Sequence, residues 1–160
     1  MRLVYHGSIV PARLGPTVLE ALAGLPAEVS LDVIGYETVG HPGYVSVLQK
    51  LAADLGLGER VCFHRAMSRL ELMRGCSAFD VGVSLLPSHP DDVNQRTMTG
   101  ASNKPFDYLA AGLALVVTDL PDWRRTFVEA GLARACRPES AASIRSTLQW
   151  LLDHPEERRA

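Results

Sequence analysis

The residues with the clearest chemical potential lie in one stretch, Asn103-Lys104-Pro105-Phe106-Asp107. Pro105 suits the first turn of a helix and biases Lys104 before it away from helical geometry. The free amides of Phe106 and Asp107 would then point out of the helix N-terminus, the arrangement that binds an anion. Lys104 adds a full positive charge at the same place. The stretch is reached through Pro87 to Gly100, a fourteen-residue connection that is long for a compact domain, and such loops often carry function. The same residues also make an ordinary capped surface helix, with Asp107 complementing the helix dipole. Residue types alone leave both readings open.

Other groups offer less. Gly35, Gly40 and Gly43 loosely suggest a dinucleotide loop, but their spacing is wrong and they follow the second apolar run, so they read as turn glycines. Asp91 and Asp92 are adjacent, so their side chains need not converge, and no Asp-x-Asp pair or histidine cluster offers a metal site. His41, His64 and His89 are cleft candidates by position only; without a partner pattern, loop or surface packing is the plainer reading. Cys62, Cys76 and Cys136 match neither a disulfide framework nor a zinc pattern. Cys62 and Cys136 sit in apolar runs, where buried thiols act as small hydrophobes.

The elements that must position these groups alternate between strand and helix. Leu3 to His6 reads as a first strand ended by Gly7, and Pro16 opens a helix with Val18, Leu19, Leu22 and Leu25 on one face. Val29 to Ile34 is a second strand, stopped by Gly35. Val47, Leu48, Leu51, Ala52 and Leu55 mark a helix closed by Gly56 and Gly58. Val61 to His64 is a third strand, and Ser68 with Glu71 forms a capping box for a short helix to about Gly75. Val81 to Leu86 and Leu113 to Thr118 are the fourth and fifth strands, separated by the long loop and a helix from about Pro105 to Ala111. Pro121 starts a helix ended by Gly131, Ala133 to Cys136 is a last edge strand, and Ile144, Leu148, Leu151 and Leu152 mark a terminal helix. The strands are apolar throughout rather than alternating, as in a parallel sheet buried on both faces. The expected fold is therefore α/β: a doubly wound, Rossmann-like parallel sheet of five to six strands flanked by helices.

Length and composition agree with one such domain. The 160 residues suffice for a core without disulfide or metal, and the apolar and charged shares, 47% and 21%, are ordinary for a globular protein. Residues 1–154 read as the domain and 155–160, Pro-Glu-Glu-Arg-Arg-Ala, as a frayed tail. Sixteen Lys and Arg against eighteen Asp and Glu exclude a generally basic, nucleic-acid-gripping surface, though not a local cluster around one phosphate. No apolar stretch approaches the ~20 residues that span a bilayer, and the N-terminus is too short in its apolar part for a signal peptide. A cytoplasmic location is expected.

The stretch from Asn103 resembles the donor-site motif of the GT-B glycosyltransferases, especially glycosyltransferase family 4 (group 1). There a run like Asn-Lys-Leu-Phe-Glu-Tyr-Leu-Ala-Ala-Gly-Leu-Pro-Val-Val precedes the fifth strand; here it reads Asn103-Lys104-Pro105-Phe106-Asp107-Tyr108-Leu109-Ala110-Ala111-Gly112-Leu113-Ala114-Leu115-Val116-Val117. Tyr5-His6-Gly7-Ser8 looks like the turn after the first strand, Val61-Cys62-Phe63-His64 like the strand beside the nucleotide base, Pro121-Asp122-Trp123 like the segment after the fifth strand, and Pro138-Glu139-Ser140 like the lead-in to the terminal helix.

The resemblance implies the C-terminal, donor-binding half of a two-domain enzyme that moves a sugar from a nucleoside-diphosphate sugar to a glycan, lipid or small-molecule acceptor, retaining and without a metal. It carries over Gly7, Ser8, Arg13, His64, Thr99, Ser102, Asn103, Lys104, Phe106 and Asp107 as donor-binding residues, and no catalytic residue. It implies no cofactor. The acceptor-binding half would be an N-terminal domain or a partner subunit, through which the protein could meet the inner face of a membrane. The family often has two glutamates eight positions apart, the first near the sugar and the second on the ribose; Thr99 and Asp107 stand there. An Arg and a Lys often hold the diphosphate after the first strand; Ser8 and Arg13 take those places. Pro105 and Ala114 also depart from the pattern. These departures fit the alternative, a non-catalytic domain kept for binding or assembly, while the Lys104 helix entry opposes it. A response-regulator receiver is excluded, because His6-Gly7 and His64-Arg65 occupy the places of its acids.

Overall fold

The computed structural model describes residues 1–89 and 102–158. Six strands form one parallel sheet: β1 (Arg2–Ile9), β2 (Ser30–Glu37), β3 (Val61–Arg65), β4 (Val81–Ser84), β5 (Ala114–Thr118) and β6 (Ala133–Cys136). Their order is β3-β2-β1-β4-β5-β6. The connections carry α1 (Pro16–Ala23), α2 (Tyr44–Asp54), α3 (Arg69–Cys76), α4 (Asn103–Ala110), α5 (Pro121–Trp123) and α6 (Ala141–Asp153). No described helix is long and apolar enough to cross a membrane.

Period-2 geometry sorts each strand's side chains between two cores. Leu3, Tyr5, Leu31, Val33, Val81 and Val83 meet Leu19 and Leu22 of α1, Leu48 of α2 and Leu148 of α6 on one face. Val4, Ile34, Leu115 and Val117 meet Tyr108 of α4, Trp123 and Phe127 on the other. The edge strand β3 is less covered, and Cys62, expected to be buried, is exposed there; Cys76 and Cys136 are buried.

Three further details depart from the sequence reading. β1 does not turn at Gly7 but runs to Ile9, pairing Gly7 with Gly35 and Ser8 with Tyr36, so Gly35 is a strand residue. Two glycines permit this: Gly7 has φ +110, and a Cβ on Gly35 would lie 1.9 Å from the Gly7 carbonyl oxygen. After α5 the chain widens into a π-helical turn, Arg124–Val128, that seats Phe127 in the core. The tail read as frayed forms a 3₁₀ turn over Pro155–Arg158.

Strand order reverses between β1 and β4, the topological switch point at which such sheets bind ligands beyond their carboxyl ends. The two strands pair only over Leu3↔Val81 and Val4↔Gly82 and then separate. The Tyr108 hydroxyl fills the gap, accepting from the His6 N–H at 3.0 Å and donating to the Val83 carbonyl at 3.4 Å. Gly82 makes this approach feasible, since a Cβ there would sit 2.1 Å from the Tyr108 ring. The amino end of α4 is thereby fixed over the switch point.

Candidate functional site

The crevice gathers most of the donor-site candidates. Helix α4 starts two residues before the expected position, with Ser102 as an extended N-cap whose side chain makes no capping bond. Helical geometry sends the Phe106 and Asp107 amides back to the Ser102 and Asn103 carbonyls, so the first-turn amides of the anion position are those of Asn103 and Lys104. Pro105, with no N–H to lose, is tolerated at the third position. Phe106 is a half-exposed side chain packed edge-on to Phe127, with ring centroids 5.7 Å apart.

Lys104 folds back over β1. Its Cε and Nζ would each lie 3.1 Å from a Cβ on Gly7, and Nζ stands 5.4 Å from the centroid of the Tyr5 ring. Gly7 therefore leaves room for an ammonium directly above the strand. Arg13, in the loop after β1, donates from Nη1 to Ser8 Oγ at 3.3 Å. Burial, together with the nearby Arg13, lowers the Lys104 ammonium to about 8. Lys104 and Arg13 thus place two cations close enough to disfavour each other.

Asp107 is buried and does not face open solvent: Arg69 of α3 grips both its oxygens, Nη2 to Oδ1 at 2.6 Å and Nη1 to Oδ2 at 3.2 Å. His6 Nε2 stands 3.5 Å from Asp107 Oδ2, too long for a hydrogen bond, and has no other partner. Burial drives the His6 imidazole down to about 4, Lys104 and Arg69 adding to the effect and Asp107 opposing it. Arg69 was not legible as a site residue, although a cation at the first position of a helix, where the dipole disfavours it, signals an acidic partner elsewhere.

The sign of the His6 shift yields a stability test. Between pH 6.5 and 4 the unfolded imidazole takes up a proton that the folded one refuses, so stability falls as pH drops through that window, by up to ~3 kcal/mol. His6→Phe should remove this contribution and leave the protein no less stable at pH 7, because the partnerless Nε2 disappears. Urea unfolding at pH 4.5, 5.5 and 7 checks it; identical acid sensitivity in both proteins would refute the assignment.

The remaining candidates lie apart or outside. His64 bonds Asp32 Oδ1 at 2.7 Å and lies in register with Ile34 and His6, two strands from the cluster. His41 and His89 are exposed. Thr99 and the pair Asp91-Asp92 lie outside the described residues, which contain no cluster of His, Cys, Asp and Glu able to hold a metal. Among the described residues, cavities open at both ends of the sheet's strands. One of about 310 Å³ opens beside Arg13 at the carboxyl ends of β1 and β4. One of about 470 Å³ lies at the amino ends of β5 and β6, near Leu132, Arg134 and Trp150. Only the first adjoins the cations.

No protein-family model and no curated protein matches the sequence. Solved structures do share its fold. The fold is that of one Rossmann-like half of a GT-B glycosyltransferase. The chain is similar to Anabaena HepE, solved in complex with UDP (TM-score 0.79, 17% identity over 98% of this chain), and to sucrose-phosphate synthase of Thermosynechococcus elongatus (0.79, 18%, 99%). It is similar also to the C-terminal domain of the group 1 glycosyl transferase LpcC of Francisella tularensis (0.76, 16%, 99%). It spans 40% of the HepE chain, 37% of the synthase and 78% of the LpcC domain.

Proposed function

We propose that this chain is the donor-binding half of a glycosyltransferase, which holds a nucleoside-diphosphate sugar with its diphosphate over Gly7. The observation that carries the reading is the pair of cations, Lys104 and Arg13, drawn together at the switch point beside the amino end of α4. HepE, which shares the fold, was solved holding UDP. In sugar transfer the bond from the anomeric carbon to the diphosphate oxygen breaks, and negative charge grows on the departing diphosphate. Fixed cations and backbone amides stabilise that charge without reorganising. Lys104, Arg13 and the amides of Asn103 and Lys104 supply such groups and can replace a metal; a metal-independent, retaining transfer is what the family resemblance implies. The acceptor is held by a domain outside this chain or by a partner subunit, and a lipid acceptor would bring the protein to the inner face of a membrane. The chain alone is expected to show negligible transfer.

A second reading, a degenerate domain kept for assembly, is favoured by one observation: Arg69 occupies both Asp107 oxygens, so no ribose meets a free carboxylate. Calorimetric titration with UDP, GDP, ADP and dTDP separates the two. The donor reading expects saturable one-to-one binding of at least one of them, and binding of none would leave the assembly reading.

If Asp107 exchanges Arg69 for ribose hydroxyls, Asp107→Asn should weaken that nucleotide by about 1–3 kcal/mol while leaving the 2′-deoxy form unaffected. Equal effects on both forms would place the ribose elsewhere.

A further inference from the structure

The cavity beside Arg13 is walled by Pro11, Pro16, Leu85, Pro87 and Pro138. Four of these are prolines, which bring no amide donor. Among the described residues its polar side chains other than Arg13 are already engaged within the protein. The Thr17 hydroxyl donates to the Pro138 carbonyl at 2.6 Å, and the Glu139 carboxylate accepts from the Ser88 N–H at 2.7 Å and hydroxyl at 2.8 Å. Arg13 belongs to both places: it lines the cavity, and its guanidinium turns to Ser8 beside Lys104. Arg13 thus stands between the cavity and the cationic crevice. At about 310 Å³ it is at the small end of ligand pockets, fit for one moiety and not for a whole nucleotide sugar.

Resting on the donor-site reading, we propose that this cavity receives the glycosyl group and that the group bears a methyl substituent, acetamido or 6-deoxy. A hexose hydroxyl directed at the prolines and Leu85 would be buried without a partner, whereas a methyl group at that place loses nothing by leaving water. The cavity therefore selects among sugars, while the cations bind the diphosphate common to all of them.

The test compares the 160-residue chain's affinities for UDP-glucose, UDP-N-acetylglucosamine and UDP-6-deoxyglucose, with UDP as reference. At least one methyl-bearing sugar should bind about fivefold to a hundredfold more tightly than UDP-glucose. The arm that shows the gain distinguishes acetamido from 6-deoxy. Ala12→Phe, which fills the cavity, should bring that ratio close to one; because a ratio is read, any change in nucleotide affinity cancels. UDP-glucose binding as tightly as both other sugars in the wild type would overturn the proposal, whether or not the variant folds. A preference that persists undiminished in folded Ala12→Phe would overturn it too. If none of UDP, GDP, ADP and dTDP binds, the donor-site reading falls and this proposal falls with it; if one other than UDP binds, the same three sugars are compared on that nucleotide.

Discussion

Lys104→Ala is expected to weaken nucleoside-diphosphate binding about tenfold to a hundredfold, the loss of a charge-assisted contact worth roughly 1.5–3 kcal/mol. The expectation follows from where the side chain already is: half-buried, laid over Gly7 and beside Arg13, with its ammonium held down to about 8. Most of the ordering that binding needs is therefore done before a ligand arrives. The same shift gives a signed pH dependence. An anion prefers the protonated amine, so affinity should be greatest below pH 8 and decline as pH rises through it, by up to about tenfold at pH 9. The decline should be absent in Lys104→Ala. Lys104→Met, which keeps the apolar stem over Tyr5, separates charge from packing. Affinity unchanged in Lys104→Ala would remove the diphosphate from this crevice.

Gly35→Ala is expected to destabilise the domain by about 3 kcal/mol or more, at the upper end for overpacking. The added Cβ would stand 1.9 Å from the Gly7 carbonyl oxygen and 3.0 Å from its carbon, both backbone atoms in the paired strand. No flexible side chain can yield there, so β1 and β2 must part. That motion displaces Gly7, and nucleotide binding should fall in whatever fraction remains folded. Gly40→Ala, where nothing lies within 4 Å, is the matched control and should change stability by no more than ~0.5 kcal/mol. Thermal and urea unfolding of the two variants measure the contrast; equal stability would mean that the Gly7–Gly35 contact does not constrain the sheet.

The sequence carried the α/β alternation because apolar runs and the Ser68–Glu71 capping box are local signals, and the structure reproduces them, with both bonds of that box formed. The continuation of β1 through Gly7 was hidden, since a glycine that ends a strand and one that admits a neighbouring backbone look alike until Gly35 is placed opposite. The start of α4 was misjudged by two residues because the bias against helix before proline was overridden by the packing of Tyr108 into the gap between β1 and β4. Cys62 was misassigned because β3 is an edge whose outer face no helix fully covers. The candidate site was legible where it consists of neighbours in sequence, Ser102 to Asp107. It was not legible where it joins elements 38 residues apart, as Arg69 and Asp107 do.

The central claim is that a diphosphate sits over Gly7 between Lys104, Arg13 and the amino end of α4. Its most direct test is a ¹H–¹⁵N correlation titration of the chain with UDP, or with whichever of the four nucleoside diphosphates binds most tightly. The account predicts saturating shifts at the amides of Gly7, Ser8, Arg13, Asn103 and Lys104. Shifts confined to Leu132, Arg134 and Trp150 around the cavity at the amino ends of β5 and β6, or no shifts at all, would contradict it.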